Sequence, residues 1–300
     1  MEQAAIQLEG VVKQRRTKKI GPVNLTLPEG YVIGLVGQNG AGKSTLIRML
    51  MQQIFPDEGS IKWYGRDYKD GLSLALRQRI TYVPEHANRE EDHLTADQVM
   101  SFRSYWYEHW NHEIYENLMR QFEVPRRIKL SKLSKGERRK FELTMALAPE
   151  PRLLLLDEPS SGLDPFASKM LIDQLRTFMN RENTTILLAT HIVDEVRKIA
   201  DYVMLMHQGQ CLGMVEKDSL LDSWREIWVR GSAELVNSLS GVVSCQEEFP
   251  GTYRMITTEY QTNEQLLYAS GLTLLKTRSL EMDEILTLWI QGQMPKGVRN

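Results

Sequence analysis

Cysteine is almost missing from this chain. Cys211 and Cys245 are its two cysteines, far apart and in no metal-ligand spacing. That excludes a disulfide scaffold and a thiolate metal site, and it suits a reducing, cytosolic setting. Long apolar runs are missing too: no stretch approaches the ~18 uninterrupted apolar residues that a membrane span needs. Met1-Glu2-Gln3 shows neither the basic start nor the apolar core of a signal peptide. Nor is there an excess of one charge. Lys plus Arg is 37 against 39 for Asp plus Glu, a net charge of −2, which argues against a general nucleic-acid binder. What remains is ordinary globular composition, 42% hydrophobic, in a chain of 300 residues. That is enough for two domains with cores of their own.

The hydrophobic pattern predicts strands over 4–34, closing on the near-continuous apolar run Tyr31–Val36. Such a run is how a strand buried on both faces looks. A strand pair is expected at Ser60–Tyr64 and Ile80–Val83, and an aromatic-rich helical stretch over Leu94–Phe122. A further helix is expected over Glu137–Ala148. Leu153–Glu158 and Ile186–His191 read as two more buried strands, the first ending in two acids and expected beside the Tyr31–Val36 strand. Strands alternating with helices imply a parallel sheet covered on both sides. From about Leu220 the order becomes strand (226–230), helix (232–239), strands (242–247, 252–257), helix (263–270) and strand (272–277). This is the split β-α-β-β-α-β pattern of ferredoxin-like domains. A last helix at Leu280–Gln291 carries Met282, Ile285, Leu286, Trp289 and Ile290 on one stripe. A four-stranded sheet with two helices has little surface left for a third, so the stripe reads either as core or as a pairing surface.

After the first buried strand comes Gly37-Gln38-Asn39-Gly40-Ala41-Gly42-Lys43-Ser44-Thr45. The spacing Gly-x-x-x-x-Gly-Lys-Ser is that of a phosphate-binding loop. Glycines let successive backbone N–H groups turn inward onto phosphate oxygens, and the helix that begins there presents its positive end to the same anion. Lys43 would neutralise the β- and γ-phosphates and Ser44 would offer its hydroxyl to Mg²⁺. Asp157 suits a Mg²⁺ ion, which keeps several waters and few protein oxygens. Glu158, one residue on and facing the other way, suits a base that polarises water. Ser134-Lys135-Gly136-Glu137 has the form of a capping box, and as a helix start it is also an anion site; both roles can hold together.

With Leu133 in front, that segment resembles the Leu-Ser-Gly-Gly-Gln signature of ATP-binding cassette (ABC) ATPases, at the position it holds in that family. Ser161-Gly162-Leu163-Asp164 is similar to the family's D-loop, His191 to its switch histidine and Tyr82-Val83-Pro84-Glu85 to its Q-loop region. The resemblance spans about residues 4–218. It implies a P-loop NTPase cassette of the α/β class over 1–219, with a helical subdomain at about 86–148, followed by an accessory or dimerisation domain of α+β type over 220–300. It implies ATP and Mg²⁺, two subunits enclosing two nucleotides, Ser134 and Gly136 capping the nucleotide of the opposite subunit, Glu158 as base and His191 on the γ-phosphate. It also implies integral membrane permease subunits and a place on the cytoplasmic face of the membrane.

Some residues depart from the family pattern. Glu85 replaces a glutamine, keeping an oxygen for Mg²⁺ or water and adding a charge. Lys135 and Glu137 replace Gly and Gln in the signature. The aromatic residue that stacks on adenine is missing; its region is Lys13-Gln14-Arg15-Arg16. Arg15 can stack on a planar base, or the segment is a solvated basic turn. Exposed rings among Tyr105, Trp106, Tyr107 and Trp110 would suit a partner. One phosphate loop and one signature, roughly 90 residues apart, disfavour the two-cassette translation factors and the coiled-coil repair proteins of the family. Gly21-Pro22, Leu-Ser-Lys-Gly and Ser279-Leu280-Glu281 are similar to ATPases of bacterial ABC-2-type exporters; a soluble regulatory ATPase is the alternative.

Overall fold

The computed structural model describes residues 3–15, 18–179, 184–237, 239–260, 263 and 271–299. The chain forms two compact units, Met1–Leu212 and Gly213–Arg299.

In the first unit β1 (Ala4–Arg15) and β2 (Lys18–Pro28) form an antiparallel hairpin, with Leu8 opposite Leu25. Along β2, Val23, Leu25 and Leu27 are buried while Asn24 and Thr26 are exposed, the alternation of a sheet with one wet face. β4 (Glu58–Trp63) pairs with β1 and β5 (Arg66–Asp67) with β4, closing this sheet in the order β2-β1-β4-β5. A second sheet holds β3 (Val32–Val36), β6 (Ile80–Val83), β7 (Leu153–Asp157), β8 (Thr185–Thr190), β9 (Tyr202–His207) and β10 (Gln210–Glu216) in the order β10-β9-β3-β8-β7-β6. Every residue of β3, β7 and β8 is buried, and β6 to β9 run parallel with β3 through its neighbours.

Two expectations fail here. β4 and β6 are not a pair; they lie in different sheets. The acid-bearing β7 is not beside β3, because β8 lies between them. Strands buried on both faces carry equivalent apolar runs, so nothing in their pattern ranks them laterally. The expected helical stretch 94–122 divides into Ala96–Ser104 and His112–Gln121, capped by Thr95 and Asn111. Between and beside them the rings sort themselves. Tyr115 is fully buried, whereas Phe102, Tyr105 and Trp106 are 58%, 85% and 60% exposed and make edge-on ring contacts with one another.

In the second unit β11 (Arg225–Arg230), β12 (Val242–Phe249), β13 (Thr252–Thr257) and β14 (Thr273–Ser279) form one sheet in the order β12-β13-β11-β14. Each neighbouring pair is antiparallel, as the ferredoxin-like pattern requires. One face carries Ile227, Val229 and Met255, which pack with Val236, Leu239 and Leu272. Of the helix expected at 263–270, residues 264–270 lie outside the described residues. Asn263 is buried, its amide donating to Ser240 O and Thr257 Oγ1 at 2.7 Å each. The last helix is Met282–Ile290. Its stripe, Met282, Ile285, Leu286 and Trp289, is buried within the single chain, leaving Ile290 36% exposed. A surplus apolar face free for pairing is therefore not present on this helix.

Candidate nucleotide site

The loop after β3 turns into the helix Lys43–Leu50. Gly42, at its N-cap, has φ +115 and no side-chain cap, so the first N–H groups of this helix are left open to an anion. A Cβ at Gly37 would stand 2.3 Å from Met206 O, which explains that glycine as a close approach to β9. The Lys43 ammonium is buried; it donates to Gly37 O at 2.6 Å and lies 3.1 Å from Glu158 Oε1. The Gln38 carbonyl lies 3.5 Å from it and accepts from Ala41 N.

Asp157 and Glu158 close β7, and both are buried. Glu158 has φ +49, a conformation few non-glycine residues adopt, and its N–H donates to Ala189 O on β8 at 2.8 Å. The interposed strand thus anchors both partners of the site. From the end of β8, His191 places Nδ1 2.7 Å from Glu158 Oε2, and Thr190 Oγ1 lies 3.4 Å from the same oxygen. Burial is the main cause that raises the Asp157 carboxyl above the usual range, with Glu85 and Glu158 adding to it and the Ser44 hydroxyl opposing it. Burial and the Asp157 charge push the Tyr82 phenol to about 12.

A cleft of about 530 Å³ is lined by Arg15, Lys18, Ile20, Asn39–Thr45, Glu85 and Glu158. It brings the phosphate loop, the base candidate, Glu85 and Arg15 to one place. Arg16 lies outside the described residues. Ser134 and Gly136 do not line this cleft. Ser134 is an N-cap in a capping box: its hydroxyl accepts from Glu137 N at 3.2 Å and its N–H donates to Glu137 Oε2 at 2.7 Å. The same helix start abuts the turn after β7, where Lys135 Nζ donates to Ser161 Oγ at 3.1 Å. The stem of Lys135 covers Gly162, and a Cβ at that glycine would meet it at 2.6 Å.

Residues missed in the sequence also belong here. The Lys18 ammonium donates to Gly40 O. Arg139 is buried and donates to Pro84 O and Glu85 O, tying the segment that carries Glu85 to the signature helix. Neither has a sequence signal of its own, since a basic residue in a basic turn or on a helix usually reads as solvated. Asp157 Oδ1 is buried with no hydrogen-bond partner among the described residues, and the Ser44 hydroxyl lies beside the same carboxylate. An orphaned hard oxygen beside a hydroxyl suits Mg²⁺, which binds through one or two carboxylates plus substrate phosphates. Among the described residues no group of three or more His, Cys, Asp or Glu side chains is placed to hold a metal ion by itself.

Fold and site together define a P-loop nucleotide-binding protein. Residues 20–161 match the family described as ABC transporter. Among similar proteins, "Nod factor export ATP-binding protein I" of Rhizobium sp. (strain N33) is 30% identical over 92% of this chain and 94% of its own. "ABC transporter ATP-binding protein NatA" of Bacillus subtilis (strain 168) is 31% identical over 71% of this chain and 88% of its own. A solved structure titled "Structure of ATP binding subunit of ABC transporter" superposes with a TM-score of 0.64 at 26% identity, over 73% of this chain and 92% of that one. The chain belongs to the ABC transporter ATP-binding family and is an ATPase.

Proposed function

We propose that this ATPase powers a bacterial exporter whose membrane subunits are separate chains. The observation that carries the reading is the single cleft in which the open helix start at Lys43, Glu85 and Glu158 converge, with His191 held on Glu158. Among the described residues no helix is long and apolar enough to cross a membrane, which fits a division of labour between ATPase and permease. Similar proteins named for Nod factor export and bacitracin transport support the export reading.

In this reading the amides of 39–45 cradle the phosphates of ATP and Lys43 neutralises the β- and γ-phosphates. Ser44, Asp157 and Glu85 would hold Mg²⁺, which, when bound, offsets charge on the phosphate oxygens. A phosphate competes with Glu158 for Lys43, so nucleotide binding frees the carboxylate to take a proton from water. Because Nδ1 of His191 is engaged by Glu158, Nε2 is the ring nitrogen left for the γ-phosphate. Arg15, at the rim, supports the adenine ring.

Ser134 and Gly136, away from this cleft, act on the nucleotide of a second ATPase subunit. The exposed rings Phe102, Tyr105 and Trp106 are a contact for the permease, since aromatic residues are enriched at the cores of interfaces. Such a complex places the chain on the cytoplasmic face of the membrane, with residues 220–300 as an accessory domain. The test of the base is Glu158→Gln, with turnover and nucleotide binding measured together. Turnover is expected to fall ~10²–10⁴-fold with binding retained; normal turnover would remove Glu158 from the mechanism.

A further inference from the structure

A third buried carboxylate lies near Asp157 and Glu158. Glu195, on the helix Val193–Ile199 that follows His191, is 7% exposed. It accepts the hydroxyl of Ser160, itself buried in the turn between Glu158 and the Ser161–Asp164 segment. Glu195 Oε2 is buried with no hydrogen bond of normal geometry among the described residues, and the Thr190 hydroxyl is the group beside it. That hydroxyl accepts from Ile192 N at 3.0 Å and reaches Glu158 Oε2 at 3.4 Å.

We propose that Glu195 is a positioning residue: it fastens the Ser160 turn to Thr190, and through Thr190 fixes the Glu158 carboxylate in the pose from which it takes a proton. The two acids differ in company. Glu158 has Lys43 and His191, whereas among the described residues no ion pair involves Glu195. A hydroxyl has one proton to donate, so Thr190 cannot serve two ionised carboxylates at once. A neutral Glu195 resolves this by donating to Thr190 Oγ1, which leaves the Thr190 proton for Glu158. Burial raises the Glu195 carboxyl in the same sense, outweighing the Ser160 and Thr190 hydroxyls that pull it down, with the Glu158 charge adding to the rise. The turn is tied to Glu158 by its backbone as well, Ser161 N donating to Glu158 O at 3.0 Å. Disturbing the turn therefore disturbs the base.

This inference rests on the reading of Glu158 as base, and Glu158→Gln is the control that separates them. Full-length Glu195→Gln, Glu195→Ala and Ser160→Ala are compared for kcat, ATP affinity and Tm. Glutamine keeps the shape and both hydrogen-bond senses of a neutral acid, so Glu195→Gln is expected to keep kcat within about twofold. Misplacement of a reacting group by a fraction of an ångström is costly, so Glu195→Ala is expected to lose ~10-fold or more in kcat at unchanged ATP affinity. Ser160→Ala is expected to show a smaller loss of the same kind, and it decides the matter if Glu195→Ala does not fold. Normal kcat in Glu195→Ala or in Ser160→Ala overturns the proposal. So does equal damage from Gln and Ala, or a loss of affinity and Tm in parallel with kcat. If Glu158→Gln itself turns over normally, the base reading has failed; if it is dead while Glu195→Ala is active, only the positioning role has.

Discussion

Glu226 in the C-terminal sheet and Glu158 in the nucleotide unit are both nearly sealed from solvent, at 1% and 6% exposure, yet they are furnished in opposite ways. Glu226 is held between two arginines: Arg254 bonds one oxygen and Arg278 Nε the other at 2.5 Å. Beside it Trp228 lies under Lys276 and Arg254 and donates to Glu248. Each oxygen of that acid has a charged donor. In the nucleotide unit Asp157 Oδ1 and Glu158 Oε1 lack a hydrogen-bond partner among the described residues, although Glu158 Oε1 keeps its ionic contact with Lys43 at 3.1 Å. Leaving buried polar atoms open costs stability, and that cost is tolerated where a ligand completes the set. The helix starts tell the same story. Ser134 spends its hydroxyl on Glu137, while Gly42 offers its helix no cap at all.

The largest effect is expected at Lys43. Lys43→Ala is expected to weaken nucleotide binding by ~2–5 kcal/mol, the cost of truncating a buried, hydrogen-bonded charge, read with a fluorescent ATP analogue. Mixing Lys43→Ala with Ser134→Arg chains sharpens it. Each variant alone should be inactive, and a mixture with demonstrated heterodimers should regain turnover, because both lesions then share one composite site. Continued inactivity would place the action of Ser134 within its own chain.

Opening the closed acid should do the reverse. Glu226→Gln is expected to cost stability by ~1–3 kcal/mol, seen as a lower Tm of the full chain, with turnover and nucleotide affinity unchanged. A change in turnover would remove the distinction between the two acids. Arg15→Ala should weaken ATP binding by ~0.5–2 kcal/mol if its guanidinium stacks on the base, and GTP binding similarly, since stacking does not read base edges. Unchanged titration curves would return Arg15 to the solvated turn.

The smallest effect concerns Glu284. Its hydrogen bond from Arg278 is the main cause that pulls the carboxyl from 4.5 down to about 2. A carboxylate depressed on folding adds stability that is fully present above 4.5 and is lost as pH falls from 4.5 towards 2. The pair is more than a third exposed, so screening should keep its contribution under ~1 kcal/mol. Glu284→Gln should lower Tm slightly at neutral pH, converge with the parent chain near pH 2, and so flatten the Tm-against-pH curve between 4.5 and 2; an equally steep acid limb would show that other groups carry it.

Local chemistry was legible without a fold wherever the signal was contiguous. The phosphate loop needs its glycines at fixed offsets from Lys43, the capping box at Ser134 and Glu137 spans one helical turn, and the split β-α-β-β-α-β pattern is periodic in its strands. Other features were not. Nothing in the aromatic segment separates buried Tyr115 from exposed Tyr105, because a helix packs one side and the choice of side belongs to its neighbours. The stripe on Met282–Ile290 showed that it would be covered, not that its own chain would cover it.

By itself the sequence determined which residues can bind phosphate, hold a divalent cation or move a proton, since those capacities reside in side chains and short backbone turns. Only the tertiary structure decided their company. Inserting β8 between β3 and β7 is what sets Thr190 and His191 against Glu158. Strands buried on both faces are interchangeable by hydrophobicity, and their lateral order comes from the connections and helices packed across the sheet. The same packing brings Arg15, Lys18, Glu85 and Glu158 to one cleft, although more than a hundred residues separate the first from the last.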